Sequence, residues 1–200
     1  MKILIYGGSF NPPHLGHFNI AKAAFDFLNP DRFLIIPANI PPHKMMDADS
    51  PTPVQRLEMC KLAFGGLTDD CRVEISDLEL QREGKSYTVY TLEELHLEFP
   101  QDELFLLIGS DSFFDFEKWY RFEDIMKLCT LCVSARENGI QDRLFDQKKE
   151  FETRYSAKSV IIPSIPLEAS SSSFRQSPGN TALLSPAVSD YIHCNKLYKT

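Results

Sequence analysis

Lys2-Ile-Leu-Ile-Tyr-Gly-Gly-Ser-Phe-Asn-Pro-Pro-His-Leu-Gly-His17 places an apolar run, a glycine turn and two histidines in direct succession. Ile3-Leu4-Ile5 reads as a buried strand. Gly7 and Gly8 then allow backbone angles and close approaches that a Cβ would forbid. Pro12 and Pro13 hold the chain extended and delay any helix. From Leu15 onward, Phe18, Ala21, Ala24, Phe25 and Leu28 fall at helical spacing. His14 and His17 therefore share one face of the first turn. A helix N-terminus carries free N–H groups and partial positive charge, which suits a phosphate. The stretch reads as a phosphate-handling loop. It is neither a Walker loop nor a dinucleotide fingerprint. No nearby cysteine or carboxylate completes a tetrahedral set with the histidines, so no metal ligand is assigned.

Outward from this loop, short apolar runs alternate with segments of helical period. Strands are expected at 2–6, 33–36, 72–75, 104–108, 130–134 and 159–162, and helices at 15–28, 53–64, 87–98, 119–127, 142–154 and 186–194. Such alternation implies an α/β fold: a doubly wound, mainly parallel, Rossmann-like sheet with helices on both faces. Ligands bind such sheets at the C-terminal strand edge, near the point where strand order reverses. The loops after the first, fourth and sixth strands should share that crevice. No repeat or long low-complexity tract interrupts residues 1–200, which read as one domain.

Composition narrows the classes. A net charge of −7 argues against a surface that coats nucleic acid. It leaves room for a nucleotide, which needs only a few well-placed donors. No apolar stretch approaches the ~20 residues of a membrane span, and the N-terminal run is not a signal peptide, so a cytoplasmic protein with no membrane partner is expected. Five cysteines without a regular framework do not suggest disulfides. Cys129-x-x-Cys132 sits in an apolar, strand-like run and reads as a pair of inert core thiols.

Further segments carry polar chemistry. Gly109 would let the backbone approach a ligand, with Asp111 and Ser112 placed to hold ribose hydroxyls or an adenine edge. Ser170-Ser-Ser-Ser-Phe-Arg175 reads either as a flexible linker or as a helix start presenting hydroxyls and a cation to an anion. Pro37-Ala-Asn-Ile-Pro-Pro-His-Lys44 is a proline-stiffened loop with a surface lysine. Ser86 is a plausible N-cap for the helix after it. Trp119 reads as core or rim, and Arg136 as a strand-end cation.

Gly-Gly-Ser-Phe-Asn-Pro-Pro-His-Leu-Gly-His resembles the signature of the HxGH nucleotidyltransferases. Pro-Pro-His-Lys44, Ser86-Tyr-Thr, Gly109-Ser-Asp-Ser, Trp119-Tyr and Ser170-Ser-Ser-Ser-Phe-Arg175 together resemble the bacterial nicotinate-nucleotide adenylyltransferases across nearly the whole chain. The last segment departs from that family's Ile-Ser-Ser-Thr-x-Ile-Arg at Ala169, Ser172 and Phe174, but it keeps a hydroxyl and the arginine. The resemblance implies ATP and nicotinate mononucleotide as substrates, with Mg²⁺, giving deamido-NAD and pyrophosphate. It implies that His14 and His17 act on the phosphates, and that Gly7, Gly8, Ser9, Phe10, Gly109, Asp111, Ser112, Ser171, Ser172 and Arg175 bind ATP. It assigns Asn39, His43, Lys44, Tyr87, Thr88, Trp119 and Arg136 to the acceptor. No general base stands out, and none is needed: a phosphate monoester, with a second pKa of about 6, is already ionised at neutral pH. A non-catalytic nucleotide-binding regulator and a different acceptor (nicotinamide mononucleotide or phosphopantetheine) are the alternatives. A hydride-transferring enzyme would need the missing G-x-G-x-x-G. Monomer and homo-oligomer are equally compatible with the chain.

Overall fold

The computed structural model describes residues 1–42, 49–135, 139–163, 170–177 and 181–199. Six strands form one parallel sheet: β1 (Lys2–Gly8), β2 (Arg32–Pro37), β3 (Val73–Ile75), β4 (Glu103–Gly109), β5 (Thr130–Ser134) and β6 (Ser159–Ile162). Their spatial order is β3-β2-β1-β4-β5-β6. The chain winds outward from β1 through β2 to β3, then crosses back to β4 beside β1, where Ile5 lies opposite Leu106. The order therefore reverses between β1 and β4, and a ligand crevice belongs above that join.

Both sheet faces are apolar because both are covered. Ile3, Ile5, Leu34, Ile36, Leu104, Leu106 and Ile108 face one core, with Val89, Leu92 and Leu95 of α4 (Thr88–Glu98), Phe113 of α5 (Ser110–Phe114), Ile125 of α6 (Phe122–Leu128) and Phe151 of α7 (Gln141–Tyr155). Leu4, Tyr6, Phe33, Ile35, Leu107 and Cys132 face the other, with Ile20, Ala21 and Ala24 of α1 (Leu15–Leu28), Cys60 of α2 (Pro53–Ala63) and Leu67 of α3 (Gly65–Thr68). The alternation along each strand is the period-2 geometry of a pleated sheet. A third cluster joins Met59 of α2 to Phe174 of α8 (Ser171–Gln176), to Leu184, to Val188 and Ile192 of α9 (Pro186–Cys194), and to Leu197. It seats the C-terminal elements against α2.

The expected strands and long helices are found with small shifts at their ends. The helix expected at 119–127 begins at Phe122, because a 3-10 turn (Phe116–Lys118) and a left-handed Arg121 (φ 54°) precede it. The segment expected as a loop after Gly109 folds into α5. Cys129 and Cys132 are buried and unbridged, and burial pushes the Cys132 thiol up to about 12. Among the described residues no helix is long and apolar enough to cross a membrane.

Candidate active site

The loop leaving β1 is shaped by Phe10. Its φ of 44° turns the ring inward, where it is 1% exposed and packs edge-on against Tyr6, Phe64 and His17 at 5.1–5.7 Å between centroids. A Cβ on Gly8 would come within 2.9 Å of that ring, so any larger residue there would displace it. Phe10, expected against ATP, can offer the site only its backbone; its ring is a wedge under His17.

His14 is the N-cap of α1 and His17 its third helical residue. The His17 N–H donates to Nδ1 of His14 (3.3 Å), and the His14 N–H donates to Nδ1 of His17 (3.2 Å). The rings stack with centroids 3.7 Å apart. This capping box is built from imidazoles instead of the usual hydroxyl and carboxylate. An Nδ1 that accepts a hydrogen bond carries no proton, so the neutral ring bears its proton on Nε2. Both histidines are thereby set as Nε2–H donors without needing to be cations.

The far end of the chain holds this loop in place. Ser171 Oγ donates to the Pro12 carbonyl (2.8 Å), and Arg175 donates to the Asn11 carbonyl (2.7 Å) and to Ser172 Oγ (3.1 Å). Tyr198 Oη donates to Asn11 Oδ1 (2.6 Å), and the Leu15 N–H donates to the Leu183 carbonyl (2.8 Å). The two sequence-distant motifs expected at the phosphates thus meet in space.

Beside the glycine turn lies a cavity of about 490 Å³. Gly7, Gly8 and Ser9 form one wall, and Asp111 and Ser112 of α5 lie across the β1–β4 join. Tyr87, Trp119 and Tyr120 form an aromatic wall, with Thr88 beside them. Tyr87 and Tyr120 lie 4.6 Å apart, and Trp119 leans on Phe116 at 5.0 Å. Gly109 is buried at the end of β4 as the N-cap of α5 and is not on the wall. Asn39 is also off the wall; Ala38, Pro41 and Pro42 of its loop are on it. Asn39 Nδ2 instead donates to the Arg82 carbonyl (3.0 Å). His43, Lys44 and Arg136 lie outside the described residues.

Ser86 is not the cap of α4. Tyr87 occupies that position without a side-chain cap bond. Ser86 is buried, accepts the Asn39 N–H (2.9 Å) and hydrogen bonds the Glu79 carboxyl. That carboxyl is a cavity-wall group that sequence reasoning missed. Thr91 Oγ1 donates to it (2.6 Å), and burial holds its pKa above the usual carboxylate value. Arg56 was missed as well: it is 1% exposed and donates to the carbonyls of Ser9 and Asn39, each at 2.8 Å. The available signal was its spacing, since Arg56 shares a helix face with Met59 and Cys60. Among the described residues no three His, Cys, Asp or Glu side chains group to hold a metal ion.

The family model described as cytidylyltransferase-like matches residues 5–177. A protein of Carboxydothermus hydrogenoformans, named a "probable nicotinate-nucleotide adenylyltransferase", is 34% identical over 202 residues, covering 99% of this chain and 98% of its own. One of the same name from Caldicellulosiruptor saccharolyticus is 34% identical over 203 residues, covering all of both chains. A third, from Geotalea daltonii, is 42% identical over 144 residues; the match spans 72% of this chain and 65% of that protein. Among solved structures, the Plasmodium falciparum nicotinic acid mononucleotide adenylyltransferase complexed with NaAD superposes with a TM-score of 0.78 at 19% identity. It covers 99% of this chain and 97% of its own, and shows a shared fold.

Proposed function

The chain belongs to the cytidylyltransferase-like family and, within it, to the nicotinate-nucleotide adenylyltransferases, and from that premise we propose that it transfers AMP from ATP to nicotinate mononucleotide, releasing pyrophosphate. The observation that carries the reading is the reciprocal capping of His14 and His17 at the start of α1. A pure binding protein has no use for two donors fixed in one tautomer at a phosphate loop. A transfer reaction does, because charge grows on the bridging and leaving oxygens as the α-phosphorus is attacked.

The ionised phosphate of the acceptor attacks the α-phosphorus of ATP in line. The new P–O bond forms as the α–β bridge breaks, and pyrophosphate leaves with the electron pair. No covalent enzyme intermediate is involved. The protein brings together two anions that repel each other and holds them aligned. Gly7, Gly8 and Ser9 cradle the phosphates with backbone N–H groups, and His14 and His17 donate from Nε2. Ser171, Ser172 and Arg175 serve the β- and γ-phosphates, with Asp111 and Ser112 at the adenosine. Tyr87, Thr88 and Trp119 receive the pyridine ring at the N-terminus of α4, which favours a ring carboxylate over a neutral carboxamide. His43 and Lys44 supply donors to the acceptor phosphate and Arg136 a cation for an anionic acceptor, while Asn39 shapes the acceptor loop.

Mg²⁺ bound to the triphosphate would offset part of its negative charge. The donor set fits an ion held by phosphate and water, since among the described residues no three His, Cys, Asp or Glu side chains group to ligate one. The proposal includes a cytoplasmic setting.

The test is pyrophosphate release with ATP and Mg²⁺, offering nicotinate mononucleotide, nicotinamide mononucleotide and 4′-phosphopantetheine separately. Preference for the first is expected. Turnover with phosphopantetheine alone would overturn the acceptor assignment, and silence with all three would leave a nucleotide-binding regulator.

A further inference from the structure

We propose that Arg56 is a positioning residue: it sets the spacing between the loop that binds ATP phosphates and the loop that binds the acceptor. This rests on the adenylyl-transfer reading above.

The ladder between β1 and β2 runs to Gly8 opposite Pro37 and ends with the Ala38 N–H donating to the Gly8 carbonyl (2.9 Å). One residue further on each side, the groups to be joined are the carbonyls of Ser9 and Asn39. Two acceptors cannot bond each other. The guanidinium of Arg56 supplies both donors, Nη1 to Ser9 and Nη2 to Asn39, each at 2.8 Å. A planar fork of fixed width therefore sets how far apart the two loops stand. Ser9 lines the cavity directly. Asn39 passes the position on through its N–H to Ser86, the neighbour of the wall residue Tyr87, and through its Nδ2 to the Arg82 carbonyl.

The side chain stands where stability alone would not put it. It is 1% exposed, and among the described residues it has no ion pair and no partner for Nε. Burial lowers its pKa, although the Glu79 charge acts in the opposite sense. It also lies in the first turn and a half of α2, at the positive end of the helix dipole. Removing it would leave the Ser9 and Asn39 carbonyls without these donors, so what the cation contributes is the bridge between them. A buried cation without an ion pair among the described residues, bridging two loops behind the meeting point of two anions, is explained by what it holds.

The test compares the parent with Arg56→Met and Arg56→Lys. Fold is checked by circular dichroism at the assay temperature, and kcat and both KM values are read from pyrophosphate release. Arg56→Met is expected to lower kcat by about 10²-fold, the scale of a small misalignment of reacting groups, with little change in either KM. Arg56→Lys keeps the charge but not the two-pronged reach, and should lower kcat by roughly tenfold. A merely structural role would lower thermal stability and leave kcat of the folded fraction unchanged. A kcat within about twofold of the parent, in whichever variant folds, overturns the proposal. A parent that is silent with every acceptor removes the reaction itself, a separate result read before either variant.

Discussion

Ser9, Asn11 and Pro12 in the loop after β1, and Leu15 at the start of α1, each share a hydrogen bond with a residue 47 to 187 positions away. Across the cavity, Tyr87 and Trp119 pack against the core, and Tyr87 and Tyr120 meet ring to ring with Tyr90 beside them, Tyr90 and Tyr120 being exposed. The first region is held by directed long-range hydrogen bonds and the second by ring packing. The contrast matches the two tasks. Stabilising a developing charge needs donors that are in place beforehand. Receiving a flat aromatic ring needs apolar area that can adjust, and stacking tolerates small errors of position.

This contrast breaks if damage to the two regions has the same kinetic signature. His17→Ala removes one Nε2 donor and the acceptor that caps His14, so kcat should fall by about 10²-fold or more with either substrate varied. Steady-state pyrophosphate release checks this, and a fully active variant would refute the role given to the histidines. Trp119→Ala should raise KM for the acceptor by about tenfold, the scale of one lost ring stack, and leave KM for ATP unchanged. Equal effects on both substrates would mean the aromatic wall serves ATP as well. Lys44→Ala should raise acceptor KM by roughly fivefold, again sparing ATP, because a single charged hydrogen bond to a phosphate is lost. The smallest effect sharpens the first region: Tyr198→Phe deletes one hydrogen bond to Asn11, and a thermal melt should fall by about 2–4 °C.

The same contrast governs what could be read from the chain. The strands were legible as apolar runs, and the longer helices because each is long enough to display its period. α5 spans five residues, too few to show one, and was expected as a loop. His14 and His17 were legible because strand, turn and helix carry them in one contiguous stretch. Their reciprocal capping was not, since it depends on ring orientation. Ser86 has the spacing of a helix cap, but the half-buried Asn39 N–H and the buried Glu79 carboxyl occupy its hydroxyl instead. Arg56 stayed hidden for a related reason. Its partners are two backbone carbonyls, which leave no mark in the residue types at positions 9 and 39.

The bond from Tyr198 to Asn11 also has a meaning in time. Translation delivers Asn11 187 residues before Tyr198. At about 5–20 residues per second, the phosphate loop waits roughly ten to forty seconds for its last restraint. Through that interval β1 and α1 can already pack, but residues 171–198 are not yet available to fix the loop between them. A nascent chain stalled before that point would hold both histidines and a sheet to carry them, yet have no finished catalytic centre.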